Sequence, residues 1–295
     1  MAVAAPRAHV RSTMAAQNNS LLCWCAGSYA GLNDRIAVLR PLATLAIALD
    51  ASLQLARPCK LLDQKHNHNR PVSCNYTWSR YLEVTHNGRA FDLDDHPCCT
   101  DRRLLPVPVV KLSREQLLSY SGPRPFVVEP RYWEGLYEAH FSPVAPRLTQ
   151  PQLTFSRDVC HAALALLSRL GVDGDFASMH MRRGDALSQC DSSTRRVADA
   201  LDNLSAVLPV LFHTQDDAAT AYVHEVQRLR PRMHHLDPML QQLHPDDNFM
   251  VFAIERQLEE FGSVQVTFRA GQCPGVVHRK PAERQCTRLS EVAHT

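Results

Sequence analysis

The sequence predicts an α/β protein of two Rossmann-like halves, the second a parallel sheet flanked by helices. Three observations predict it. From about residue 150 to residue 268, short apolar runs alternate with stretches of helical period, the spacing of parallel strands joined by right-handed crossovers. Near the start, residues 20–55 read as strand, glycine loop, helix, strand, the opening of a Rossmann-like unit without the full dinucleotide fingerprint. Between them in importance stands Phe176-Ala-Ser-Met-His-Met181, an apolar run that ends abruptly in Arg182-Arg183-Gly184-Asp185, as a buried strand ends at the polar rim of a sheet.

Taken in order, residues 1–20 read as a disordered leader, without the apolar centre of a signal peptide. The chain is therefore expected either to stay unexported or to lack its true beginning. Ser20 to Cys25 is the first strand, followed by a loop with Gly27 and Gly31 that can bring backbone N–H groups against an anion. A helix from about Asn33 to Leu49 follows, with Ile36, Leu39, Ala46 and Leu49 at helical spacing and a kink predicted at Pro41. Ser52–Leu55 is the next strand. Residues 57–108 lose all period and read as a long irregular insertion, in which Tyr76, Trp78 and Tyr81 either stack on a sugar or base or form a small satellite core. Strand-like pieces at 107–110 and 126–128 bracket a short helix at 114–120. The Pro-rich segment 141–147 is the best linker, dividing an N-terminal domain (21–147) from a C-terminal one (148–270) with a tail, 271–295.

In the second domain the expected elements are a helix over 150–170 ended by Gly171, the strand 176–181, a helix over 194–204 and a strand over 208–213. After these come a helix capped by Thr214–Asp217 and reaching Arg230, a strand over 233–236, a helix over 246–260 and a strand over 263–268. Strand alternation puts His180 and Arg182 on one face and Met181 on the other. Arg182 and Arg183 are permanently charged, fork-shaped donors, and such a pair beside a histidine suits a phosphate or pyrophosphate. The plain alternative is a surface turn in which Asp185 pairs with one arginine.

Composition narrows the function. With 295 residues, a formal net charge of +2 and interspersed signs, the chain has no basic patch to recommend nucleic acid or an acidic membrane as partner. No stretch approaches the roughly 20 apolar residues of a membrane span. The ten cysteines show no zinc-knuckle spacing; a few disulfides within Cys59–Cys99 and sequons at Asn18, Asn75 and Asn203 would fit the secretory pathway.

The segment His180-Met-Arg-Arg-Gly-Asp185 resembles the strand-end signature of the metal-independent fucosyltransferases of GT-B fold, the superfamily of α1,6- and α1,2-fucosyltransferases and protein O-fucosyltransferases. Gly31-Leu32-Asn33 is similar to the loop that opens that family's N-terminal half, and His213-Thr-Gln-Asp-Asp217 to its strand-end Thr-Asp-Asp segment, with an extra Gln. The resemblance spans residues 21–270. It implies two Rossmann-like domains facing a cleft and transfer of fucose from GDP-fucose, with inversion and no metal cofactor. Arg182 then holds the diphosphate, with His180 beside it and Arg183 clamped by Asp185. Gly31 and Asn33 face it from the opposite wall, and Asp216 or Asp217 receives the ribose or guanine. Asp185 and Asp191 are the candidates for a general base, although the family's carboxylate position falls on Cys190. Asp247 and Thr267 match the third motif, but Arg269-Ala-Gly-Gln-Cys stands where small polar residues are expected. A Golgi or reticulum lumen, a nucleotide-sugar donor and a glycan or protein acceptor are implied. Another nucleotide sugar, or a silent nucleotide-sugar or glycan binder, remain the alternatives.

Overall fold

The larger sheet has five strands, and their order locates its binding crevice. In this computed structural model, which describes residues 20–24, 31–48, 51–67, 69–87, 89–93, 126–127, 151–181, 192–214, 220–269, 272–282 and 286, strands β7 (Ala177–Met181), β8 (Val210–Thr214), β9 (Met233–His235) and β10 (Val264–Arg269) run parallel. The antiparallel β11 (Gln272–His278) closes one edge, giving the order β11-β10-β7-β8-β9. The chain steps outward from β7 to β8 to β9, then returns to place β10 on the other side of β7. The switch point of the sheet therefore lies at the carboxyl ends of β7 and β10, where ligands settle in open α/β sheets.

The strands alternate as a sheet covered on both faces demands. Ala177, Met179 and Met181 face one way and pack with Val210, Phe212, Val266 and Phe268 against Val197 and Leu201 of one helix and Val223 and Val226 of another. The opposite face is covered by two further helices, whose Val159, Leu166, Ile254, Leu258 and Phe261 join Phe176 and Leu211. Each such fully buried Leu or Phe contributes about 1.5–3 kcal/mol relative to exposure.

The helices begin where their caps dictate. Helices α3 (Arg157–Arg169), α4 (Thr194–Asp202), α5 (Ala221–Arg228) and α7 (Asn248–Phe261) start behind Ser156, Ser193, Thr220 and Asp247, whose side chains accept from the N–H groups of Val159, Arg196, Val223 and Met250. Thus Thr220, not the predicted Thr214–Asp217 segment, caps α5, and Thr214 is the last residue of β8. Gly171 ends α3 at φ +63°, where Val172 N–H donates to Leu167 and Gly171 N–H to Ser168.

In the N-terminal part, β1 (Ser20–Trp24), α1 (Leu32–Ala48) and β2 (Ala51–Leu55) form the expected unit, with β5 (Phe126–Val127) adding a third parallel strand in the order β2-β1-β5. The α1 assignment continues through position 41 despite its proline. Among its described residues, which end at Leu93, the insertion is more ordered than its composition predicts. It holds the short α2 (Pro58–Leu61), two 3₁₀ turns (Gln64–Asn67 and Trp78–Arg80) and an antiparallel hairpin of β3 (Leu82–His86) and β4 (Arg89–Ala90), and a Cys59–Cys74 disulfide.

The helix expected from residue 150 is instead a strand followed by a helix. Strand β6 (Gln152–Phe155) pairs with β3, and α3 starts only after Ser156, because Gln-Leu-Thr-Phe alternates and Ser156 caps. Helix α6 (Asp237–Leu243) and strand β11 have no counterpart in the sequence reading. The expected elements at 107–110 and 114–120, the linker at 141–147, the leader 1–19 and most of the tail lie outside the described residues. Helix α7 joins the parts: Phe249, Met250, Val251 and Ile254 belong to the same core cluster as Trp24, Leu39 and Leu53. A second disulfide ties Cys160 on α3 to Cys286.

Candidate functional site

At the switch point the register sets three polar strand ends side by side. His180 of β7 lies opposite Thr267 of β10 on one flank and His213 of β8 on the other, and Met181 lies opposite Thr214. Met181 is wholly buried toward α4 and α5, whereas the His180 side chain, 32% exposed, turns to the α7 face, as alternation predicts. Thr267 is buried, and its hydroxyl has no hydrogen-bond partner among the described residues. The chain leaves β7 at Met181, so Arg182 is the next residue in sequence. Arg182, Arg183, Asp185, Asp191, Asp216 and Asp217 lie outside the described residues.

Beneath this rim sits a group that the sequence reading missed. Helix α7 presents Glu255 and Glu259, one turn apart, to the histidines of β7 and β8. Glu255 Oε2 lies 3.3 Å from His213 Nδ1, and Glu259 Oε1 lies 3.6 Å from His213 Nε2 and 3.8 Å from His180 Nδ1. The two imidazoles meet edge to face with centroids 4.1 Å apart. The other oxygen of Glu259 accepts from Gln265 at 2.8 Å and pairs with Arg256. A sequence signal for these acids existed: Val251, Glu255 and Glu259 fall on one line of a helix, so two carboxylates continue an apolar stripe.

The electrostatics follow from burial and neighbours. Burial disfavours the imidazolium of His180, and His213 adds to this, so its pKa falls to about 4 despite Glu259. For His213 burial acts in the same direction, but Glu255, Glu259 and Asp237 together outweigh it and raise its pKa to about 9. Burial lifts Glu255 to about 7 against the pull of His213. Glu259 is also desolvated, yet the closeness of the two histidines and the charge of Arg256 hold it well below the carboxylate range.

Gly31 and Asn33 reach α7 by another route. Gly31 N–H donates to Asp34 Oδ2 at 3.2 Å, in the first turn of α1, and Asn33 is exposed. A Cβ on Gly31 would meet the His66 ring at 3.5 Å, an ordinary contact, so packing there does not require glycine. The neighbouring Asn67 is buried, donates to Asp246 O and Arg70 O, and accepts from Asn248 N–H at 2.7 Å. The α1 entry thus rests near the amino end of α7, and His180 rests on its carboxyl half.

Asp247, expected to touch the donor, is engaged by the protein. It caps α7 through Met250 N–H, receives Arg80 Nε at 2.9 Å and takes the Tyr81 hydroxyl on both oxygens. Burial, with Asp247 alongside, pushes the Tyr81 phenol far above its ordinary value, so it stays a neutral donor. Of the insertion aromatics, Trp78 and Tyr81 are core residues and Trp78 Nε1 donates to Ala56 O. Tyr76 is half-buried, with the Arg80 guanidinium 4.3 Å from its ring centroid.

No protein-family model matches the chain, and no curated protein matches it significantly in sequence. Among solved structures it is similar to the fucosyltransferase NodZ from Bradyrhizobium, at 11% identity with 90% of this chain and 100% of that one covered and a TM-score of 0.48. It is also similar to a NodZ alpha-1,6-fucosyltransferase co-crystallized with GDP, at 12% identity with 88% and 99% covered and a TM-score of 0.48.

Proposed function

We propose that this chain is a fucosyltransferase-like inverting glycosyltransferase that transfers fucose from GDP-fucose to a hydroxyl of a glycan or protein. One observation carries the reading: the strand that leads into Arg182-Arg183-Gly184-Asp185 is the one at the switch point, flanked by Thr267 and His213 on parallel neighbours. An arginine at that crevice suits a diphosphate leaving group. As the sugar–phosphate bond breaks, negative charge grows on the diphosphate, and a fixed guanidinium stabilises it without help from a metal at that position.

In this reading Arg182 holds the diphosphate, Asp185 clamps Arg183, and Asp185 or Asp191 takes the acceptor proton. Asp216 and Asp217, following β8, receive the ribose or base, and Asn33 supplies a donor from the α1 entry, where Asp34 holds the Gly31 N–H. The disulfides Cys59–Cys74 and Cys160–Cys286 support an oxidising lumen such as the secretory pathway. A silent nucleotide-sugar binder is the second reading. It is favoured by β10, which continues past Thr267 to Arg269 and pairs antiparallel with β11 from Gln272 onward, where the resembled family has a small polar loop.

Calorimetric titration of GDP without magnesium tests the shared premise. Arg182→Ala is expected to weaken GDP about 10–100-fold, the worth of one charge-assisted bidentate contact. Unchanged GDP affinity in that variant would remove both readings. GDP-fucose turnover with a mixed acceptor array then separates enzyme from binder.

A further inference from the structure

We propose that His180, His213 and Glu259 bind a divalent transition-metal ion, of the zinc class, that straps β7 and β8 to helix α7 immediately below the rim. The site lies beneath the crevice and shares the strand ends of His180 and His213 with its rim, but it does not rest on the proposed glycosyl transfer.

Three geometric facts carry it. First, one ligand atom from each of the three residues can be chosen so that all lie within 4.8 Å of one another, and the two contacts to Glu259 Oε1 are 3.6 and 3.8 Å. These are too long for good hydrogen bonds. They are close to the spacing of about 3.4 Å between ligands that sit 2.0–2.2 Å from a tetrahedral ion. Second, the atoms that converge are the ones left over. His213 Nε2 and Glu259 Oε1 are buried without a hydrogen-bond partner among the described residues, and the Glu259 side chain is 3% exposed. Buried polar atoms are rarely left so, and an ion between them would satisfy both.

Third, the remaining atoms of two ligands are held as outer-shell groups hold them at metal sites. Glu255 faces the distal nitrogen of His213 at 3.3 Å, the carboxylate–histidine arrangement that fixes a ligand's tautomer. Gln265 and Arg256 occupy Glu259 Oε2, which leaves Oε1 aimed at the histidines. Two imidazoles and one carboxylate suit zinc and its first-row neighbours, whereas magnesium and calcium take oxygen ligands. His180 is the partly exposed member, so the ion enters from its side and water fills the fourth position.

The test uses the full chain, stripped with a chelator and then titrated with zinc or cobalt(II) alone. One equivalent of bound zinc is expected, together with the visible absorption of tetrahedral cobalt(II). His180→Ala and Glu259→Gln are each expected to lower the affinity at least about 100-fold, and Glu255→Gln about 10–100-fold. His161→Ala, at an exposed position on α3, should bind as the parent does. Failure of the folded parent to take up zinc, or retention of parental affinity by Glu259→Gln, would overturn the proposal. Should the buried variants fail to fold, the parent's cobalt spectrum decides, because an octahedral spectrum or none also rejects the site. Magnesium-free GDP binding is read separately, so failure of one assignment leaves the other standing.

Discussion

Helix α7 carries a buried polar cluster at each end, and the two clusters are built to different standards. At its amino end every Asp247 oxygen is met, by Met250 N–H, Arg80 and Tyr81, and Asn67 fills three hydrogen bonds of its own. Toward its carboxyl end Glu255, Glu259, His180 and His213 crowd together at 3.3–3.8 Å, and two of their atoms have no hydrogen-bond partner among the described residues. Both clusters are about equally buried, so burial alone does not separate structure from function. Satisfaction does. A completed network serves to fix one geometry, and convergent unfilled atoms beside a switch point mark a place for something else.

The largest effect should come from damaging the completed end. Asp247→Ala removes a helix cap and strands the buried Tyr81 hydroxyl, which together cost about 2–5 kcal/mol. Urea denaturation followed by circular dichroism measures this. A change below about 1 kcal/mol would mean that the Asp247 network is not what joins α7 to the insertion, and the contrast between the two ends would fail. The unfinished end should respond to ligand more than to mutation. Zinc at a hundredfold excess over its dissociation constant should add about 2.7 kcal/mol to the stability of the chelator-treated parent. At the same zinc concentration His180→Ala should gain no more than about 0.4 kcal/mol, and equal gains in both proteins would break the comparison from the other side.

The contrast also explains what could be read from sequence. Strand–helix alternation and the α7 core stripe are periodic, and β7, β8, β10 and α7 stand within a few residues of where period places them. Helix α3 was displaced because Gln152–Phe155 alternates over only four residues and its pairing with β3 is set by a partner some seventy positions earlier. Strand β11 has Pro274 and Gly275 in it, which argue against a strand until an edge position is known. For the site, His180 was legible because it stands two residues before an abrupt arginine pair in the sequence. Its partner Glu259, and the Glu255 that faces His213, come from a helix some 75 residues later, and only the fold makes that helix a neighbour.

The smallest effect concerns pH at the completed end. His244 closes α6, its N–H donating to Leu240 O at 2.9 Å. Burial first, and then the nearby Arg80 charge, lower its pKa below the ordinary value against a weaker pull from Asp247. A histidine with a folded pKa below its unfolded one binds fewer protons in the native state. Stability therefore rises with pH across that interval and is lost as pH falls below about 6.5, the unfolded value. Because the ring is half-exposed, solvent screens the effect and it stays small. Urea midpoints at pH 7.5 and 5.5 should fall less in His244→Gln than in the parent. If the variant loses as much as the parent, the amino end of α7 is insensitive to pH through this residue, and Asp247 offsets both the burial of the ring and the charge of Arg80.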